Sequence, residues 1–453
     1  MTSHWYFTCF LFVSMGLGGC LGESLGPERT LDVPDAWHAP WAVSGEVVAG
    51  WLGDFAAPQL DTLVAQALRE SPDLRSAALK IDAARQRMAI ASGSLWPGVS
   101  LDGEVRRSGP EPERTVHGID GTISWEIDLW RRLSLNRDVA QAELKGAEAE
   151  WCGARFSLAA NVARGWFRVV ELEGQIQQAG HNLDLLDQSL KIIEERYRGG
   201  LTTPLDLRLA RTDRAQGEEQ LAARGMEWDA AQRTLETLLG RYPEGRMTTS
   251  ARALPRLSRQ VPAGLPAQLL DRRCDLKAAR QQLTGTRLRF ESARRNRLPT
   301  IRLTTTGGMA SDALRDLLDW DNLVWSMVGG LTQPLFQGGR LRAEEALARV
   351  EHRQAWSGYA KAVLVAFREV ETTLAATTLL AEREHALEGQ VREARKAVQE
   401  AMERYREGLT DILTLLETER RLFQAESARL GVARAVLDNR VSLHLALGGD
   451  FAE

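Results

Sequence analysis

Ile119-Asp120-Gly121-Thr122-Ile123-Ser124-Trp125-Glu126-Ile127-Asp128-Leu129 alternates without a slip: every odd position is apolar or glycine, every even one polar. Successive side chains of a strand point to opposite faces, so this run has one greasy face and one wet, acidic face. Toward the N-terminus, Val99, Leu101, Gly103 and Val105 alternate with Ser100, Asp102, Glu104 and Arg106 in the same manner. Further along, Ile301, Leu303, Thr305 and Gly307 form a weaker strand, and Leu323, Trp325, Met327, Gly329 and Leu331 another. The spacing predicts strands over about 97–107, 118–129, 299–309 and 322–336. Each approaches the roughly 9–11 residues with which a tilted strand crosses a bilayer.

Two readings suit such strands: a half-buried sheet inside a soluble protein, or part of a membrane barrel. Trp96, Trp125, Trp130, Trp320 and Trp325 cluster at or near the strand ends, as the interfacial aromatics of a barrel do. Together with the export signal below, they favour the barrel. Backbone groups in lipid must all be paired, so four strands with two open edges require further copies. Two copies would give eight strands around packed side chains, and three would give twelve and room for a lumen. The acids Asp102, Glu104, Asp120, Glu126 and Asp128 prefer the wetter, wider solution and are the candidate lumen residues.

The N-terminus agrees with export. From Trp5 to Leu17 the chain is apolar or small, about 13 residues and too short to span a bilayer as a helix. Leu17-Gly18-Gly19-Cys20 follows, and the whole reads as a secretory signal over 1–19. The four residues resemble a bacterial lipoprotein cleavage box, in which Cys20 becomes the acylated first residue; the alternative is an ordinary signal with an incidental cysteine. No Lys or Arg precedes Cys20, a departure from the usual signal. Leu21 after the cysteine resembles outer-membrane rather than inner-membrane sorting of such lipoproteins.

The body is written twice. A shift of 208 residues carries Arg196-Tyr197-Arg198-Gly199-Gly200-Leu201-Thr202 onto Arg404-Tyr405-Arg406-Glu407-Gly408-Leu409-Thr410, and Leu239-Gly240 onto Leu447-Gly448. A shift of 202 carries Asp73-Leu74 onto Asp275-Leu276 and Pro97 onto Pro299. A lipidated extended segment (20–58) thus precedes two repeats, 59–240 and 264–448, with a Pro-rich linker (241–263) between them and a tail (449–453) after them. Each repeat reads as helix, two strands, long helix, turn, helix. No proline interrupts 133–197 or 340–405, and a helix of that length reaches roughly 100 Å. Apolar residues at 3-4-3-4 spacing, such as Leu183, Leu186, Leu190, Ile193 and Tyr197, imply helices coiled around neighbours. Glycines at 146, 153, 165, 174 and 180 imply close helix contacts or local breaks. At the turns, Thr203-Pro204 and Asp411-Ile412 read as N-cap and first helical residue.

Composition excludes several classes. In 453 residues, 57 basic and 61 acidic side chains leave a formal charge of −4 with no dense basic block, which argues against nucleic acid as a partner. The four cysteines form no CxxC pair, and the seven histidines form no HExxH or other close metal pair. No catalytic motif, resident metal or cofactor is expected. Glu369 and Glu371 read as solvated or interhelical charges rather than an acid/base pair, and Cys152 and Cys274 as buried thiols with a bridge left open.

Ser124-Trp125-Glu126-Ile127-Asp128-Leu129-Trp130, Pro334-Leu335-Phe336-Gln337-Gly338-Gly339-Arg340-Leu341, Ala366-Phe367-Arg368-Glu369-Val370-Glu371 and Leu445-Ala446-Leu447-Gly448-Gly449 occur in this order. They resemble signatures of the TolC-like outer membrane efflux family, in its lipoprotein branch serving tripartite drug and metal exporters. The resemblance implies a mainly α protein with a membrane β-barrel: a homotrimer in outer-membrane lipid, with a 12-stranded barrel, four strands per chain, and a long periplasmic α-helical tunnel. It also implies partnership with a periplasmic adaptor and an inner-membrane pump, and passive conduction of their cargo. Cys274 stands where the family usually has proline. The competing class is a structural periplasmic coiled-coil lipoprotein without channel activity, which leaves the strands unexplained.

By the same resemblance the second turn helps close the periplasmic tip. Tyr405, Thr410, Asp411, Thr414 and Glu417 are the candidate gate residues, with Glu417, and after it Asp411, lining a constriction as rings of acid. Their alternative role is to cap and solvate a helix start. Arg196, Tyr197, Gly200, Leu201, Arg404, Tyr405, Gly408 and Leu409 match the tip motif and are candidate adaptor contacts, with capping and packing as the alternative.

Overall fold

The computed structural model describes residues 33–39, 50–110, 114–247, 253–257 and 261–449; Cys20 and the signal lie outside them. After a 3-10 turn at Trp51–Phe55, the elements run α1 (Pro58–Glu70), α2 (Pro72–Gly93), β1 (Gly98–Ser108), β2 (Arg114–Ile127), α3 (Arg132–Arg198) and α4 (Pro204–Leu238). The second series is α5 (Pro266–Arg272), α6 (Cys274–Arg295), β3 (Thr300–Ser311), β4 (Leu323–Thr332), α7 (Arg340–Glu407) and α8 (Ile412–Ala446). The order helix, strand, strand, long helix, helix therefore occurs twice.

Two strand ends differ from the alternation in sequence. β2 begins at Arg114, because pairing with β1 carries the ladder past the point where the apolar period fades. β4 stops at Thr332, short of Pro334, whose missing N–H cannot extend a ladder. Asp128 and Leu129 likewise lie beyond β2.

Two compact units are present, and they cut across both repeats. One holds 78–150 and 275–362 among its described residues; the other holds 33–77, 151–274 and 363–453. In the first, the strands form one antiparallel sheet in the order β1-β2-β3-β4, leaving β1 and β4 as edges. Its helical part is tied by side chains from distant sequence. The Arg297 guanidinium donates to Glu345 at 2.7 Å with both side chains largely buried, and Ser292 Oγ donates to Asn136 at 2.7 Å.

In the second unit, Trp51, Phe55, Leu60, Leu63 and Val64 pack against α3 at Val162, Ala163, Trp166, Phe167 and Val170, closed by Leu235, Leu239, Leu437 and Val441. Phe55 meets Phe167 with ring centroids 5.1 Å apart. α3 runs unbroken through its glycines, and two of them are close contacts. A Cβ at Gly165 would sit 3.3 Å from Leu235, and one at Gly174 3.4 Å from Leu430. Cys152 and Cys274, left open by the sequence, are joined by a disulfide. Glu371 accepts the backbone N–H groups of His38 (2.7 Å) and Ala39 (2.9 Å), and Glu369 accepts from Arg273 at 2.7 Å. Those two acids fasten neighbouring chain rather than form a reactive pair.

Candidate functional site

The sheet has the inside-out polarity that its alternation predicts. In the C-terminal part of β2 the apolar side chains are the more exposed set, with Ile123 46% and Trp125 36% accessible, while the side chain of Glu126, next to Trp125, is 18% accessible. Opposite residues on antiparallel strands share a face, so the ladder aligns Val99 with Ile123, Ile301 with Ile127 and Leu331, and Trp325 with Gly307. The result is one continuous apolar face, carrying Val99, Leu101, Trp325 and Leu331 at 69–77% exposure. An uncovered apolar surface of this kind needs an apolar neighbour. No helix among the described residues is long and apolar enough to cross a membrane.

The other face is polar on β1, β2 and β3, while β4 adds Val324 and Val328 to it. Asp102 stands opposite Asp120, which lies over Gly308, where no side chain competes for the space. Glu104 pairs with Arg106 at 2.8 Å, and Glu126 with Arg132 at 2.5 Å and Arg302 at 3.8 Å. Asp128 takes a different place from the other four acids. It accepts the N–H groups of Leu133 (2.9 Å) and Ser134 (2.8 Å) and so caps the start of α3 rather than continuing the polar face. Two of the strand-end tryptophans have their polar handles satisfied: Trp125 Nε1 donates to the Leu95 carbonyl and Trp130 Nε1 to that of Pro299.

The two turns close on the same backbone hydrogen bonds. Leu201 N donates to the Arg196 carbonyl and Leu409 N to that of Arg404, both at 2.8 Å. Gly200 and Gly408 take φ of +71° and +77°, the left-handed conformation that closes such a helix end. Thr203 and Asp411 are the N-caps. Asp411 accepts the Thr414 N–H at 2.8 Å and its hydroxyl at 2.7 Å, and these hydrogen bonds hold its carboxyl below the usual range. Thr410 is half-buried beside it, while Leu201 and Leu409 are exposed.

Tyr405 is withdrawn from the surface that both its candidate roles require. It is buried among Ile193, Ala210, Ile412 and Leu415, beneath the guanidinium of Arg196, 5.1 Å from the ring centroid. The same guanidinium donates to the carbonyls of Tyr405 (3.1 Å) and Arg406 (3.2 Å), so Arg196 caps the end of α7. Its counterpart Arg404 is exposed, with Glu400 at 3.6 Å, and Tyr197 is 40% exposed.

Glu417 is held between two cations. Arg421 donates to it at 2.7 Å and Arg420 also bonds it, which keeps its carboxyl below the usual range. With Asp213, Asn182 and Arg420 it lines a cavity of about 370 Å³ between the helices. Two residues on, Glu419 is buried; burial lifts its carboxyl to about 7 although the Ser189 hydroxyl donates to it. Sequence reasoning passed over this acid, yet its position announced it. Ile412, Leu415, Leu416 and Leu422 are buried, and Glu419 occupies the next place in their 3-4 spacing.

A family model described as outer membrane efflux protein matches residues 63–241 and 265–449. The pyoverdine export outer membrane protein OpmQ of Pseudomonas putida is 30% identical over 458 residues, spanning 97% of each chain. The cation efflux system protein CusC of Escherichia coli O6:H1 is 28% identical, across 97% of this chain and 98% of that one. Among solved structures, the open state of the Neisseria gonorrhoeae MtrE outer membrane channel superimposes with a TM-score of 0.85 at 26% identity, covering 96% of this chain and all of that one. With both repeats matched and the sheet turned apolar side out, the chain belongs to the outer membrane efflux protein family.

Proposed function

We propose that this chain is the outer-membrane channel of a tripartite efflux system. Three copies close a 12-stranded barrel in the outer membrane, and the helices carry the passage into the periplasm. Substrate arrives from an inner-membrane pump through a periplasmic adaptor and crosses passively. The observation that supports this reading is the sheet: an exposed apolar face, a charged opposite face, and two edge strands. A structural coiled-coil lipoprotein has no use for any of the three. Acylation of Cys20 anchors the N-terminal segment to the same membrane. The exposed turns at Gly200-Leu201 and Gly408-Leu409 offer Leu201 and Leu409 to the adaptor. The gate is assigned to Glu417, with Thr410, Asp411 and Thr414 at the turn before it.

The test is conductance of the detergent-extracted protein in a planar bilayer, for the native chain and for Glu417→Ala. Long-lived steps that widen in the variant are expected. A folded, extractable protein silent in both forms would overturn the channel and leave the structural lipoprotein.

A further inference from the structure

The two repeats start their second helix at equivalent places and fix it by different chemistry. The shift of 202 carries Pro72, the first residue of α2, onto Cys274, the first residue of α6. The chain enters both helices with the same backbone, φ −62° and ψ 123° at Ser71 and φ −68° and ψ 127° at Arg273. Each entry also lies against the left-handed glycine that follows its repeat's last helix. A Cβ at Gly240 would sit 2.7 Å from the Glu70 carbonyl oxygen, and one at Gly448 3.1 Å from the Arg272 carbonyl carbon. In the first repeat the proline ring presets φ at the first helical position, where its missing N–H costs nothing. In the second repeat that ring is absent. Cys274 is instead joined to Cys152 on α3, in the other repeat and 122 residues away, with Cα atoms 5.9 Å apart as a disulfide requires.

The entry of α6 is also a crossing point. Arg273 donates to Glu369 of α7 at 2.7 Å and to the Ala446 carbonyl at the end of α8 at 3.3 Å. On the third side Gly153 lets α3 approach, since a Cβ there would be only 3.8 Å from that of Cys274. Arg273 thus holds α7 and α8 by hydrogen bonds, and the next residue holds α3 covalently.

We propose that Cys152 and Cys274 form an oxidation-dependent staple: a disulfide donor outside the cytoplasm closes the bond, and the bond fixes the entry of α6, the task that Pro72 performs for α2. The proposal rests on the reading that the chain is exported, because disulfides form and persist in oxidising compartments. On that reading Cys9 leaves with the signal and Cys20 carries the acyl group, so these two are the thiols left to the mature chain. Closure is an exchange. One of the two thiolates attacks the donor's disulfide, forming a mixed disulfide and releasing one donor thiolate; the second displaces the remaining donor sulfur. The chain gives up two protons and two electrons, and the donor leaves as a dithiol. Cys274 is 8% exposed in the fold, so the exchange precedes or accompanies docking of α6, and the finished bond is shielded.

Thiol tagging of protein taken from outer membranes and denatured, with and without prior reduction, tests the bond. The native chain is expected to take two more tags after reduction, and Cys152→Ser with Cys274→Ser to take none of them. That double variant should unfold about 5 °C or more below the native chain in detergent. Cys152→Ser with Cys274→Pro should regain at least half of the loss, because the backbone at Arg273 already suits a following proline. In cells lacking their dithiol oxidase outside the cytoplasm, recovery of the native chain should fall severalfold and that of the proline variant should not change. Two free thiols in native protein recovered from outer membranes would overturn the staple and leave the channel standing. Free thiols in protein retained inside the cell would remove the staple together with the export on which it rests. Equal stability of the native chain and the serine variant would overturn the staple's role, and a proline variant no more stable than the serine one would overturn its equivalence to Pro72.

Discussion

At the residue scale the second repeat's last helix carries two acids with opposite fates. Glu417 faces cations and stays charged, whereas Glu419 is buried in the apolar stripe of α8 and titrates near neutrality. The sign of the effect on stability follows. A carboxyl whose pKa is higher in the fold than in the unfolded chain binds its proton more tightly when folded. Below the ordinary carboxylate range it contributes no penalty, and as pH rises through about 7 the buried charge destabilises the fold. A displacement from 4.5 to about 7 corresponds to about 3 kcal/mol at alkaline pH. Replacing Glu419 with Gln is therefore expected to flatten the decline in thermal stability between pH 5 and 8, measured as the unfolding temperature of the detergent-solubilised protein. If the native chain and the Gln variant decline in parallel, Glu419 does not titrate in this range. Asp411 offers a contrast, since its charge is engaged by Thr414 at a helix start, where negative charge is welcome.

At the scale of elements, the strands test the two-faced reading directly. Leu101 and Asp102 are neighbours in β1 on opposite faces, one apolar and one polar. A cation on a lipid face costs about 2–4 kcal/mol near the bilayer midplane and far less in a wet lumen. Leu101→Arg is expected to cut recovery of assembled protein from outer membranes severalfold, and Asp102→Arg to leave recovery near that of the native chain. Equal losses from both would mean that the two faces meet the same surroundings. The faces were legible in sequence because period two is a local property. Less legible were the ends of the strands and the partners of the turn residues. β4 stops at Thr332, two residues before Pro334, while the apolar run invites extension to 336. Arg196 finds Tyr405 across more than 200 residues, and Glu371 finds the backbone at His38 across more than 300. Such pairings follow from how helices lie beside one another, which the 3-4 spacing of either helix leaves undetermined.

At the scale of the whole molecule, duplication and charge act together. The net charge of −4 is spread over a long chain, and two of the four acids on the polar face of the sheet already have cations. Glu104 has Arg106, and Glu126 has Arg132 and Arg302. Asp102 and Asp120 instead face each other, so each chain brings two adjacent carboxylates to the same level of the sheet. Under the proposed closure of three chains into a barrel, these pairs would stand around the lumen as a ring of acid, and such a ring favours passing cations. In a salt gradient the open channel should then show a reversal potential of cation-selective sign. Asp102→Asn with Asp120→Asn should move it toward zero, with conductance changed less than selectivity. Because Glu104 and Glu126 are compensated, neutralising Glu104 together with Arg106 should shift it little. A reversal potential unmoved by loss of both aspartates would place the selective region elsewhere along the passage, with the acids of the second helical turn next to be neutralised in the same assay.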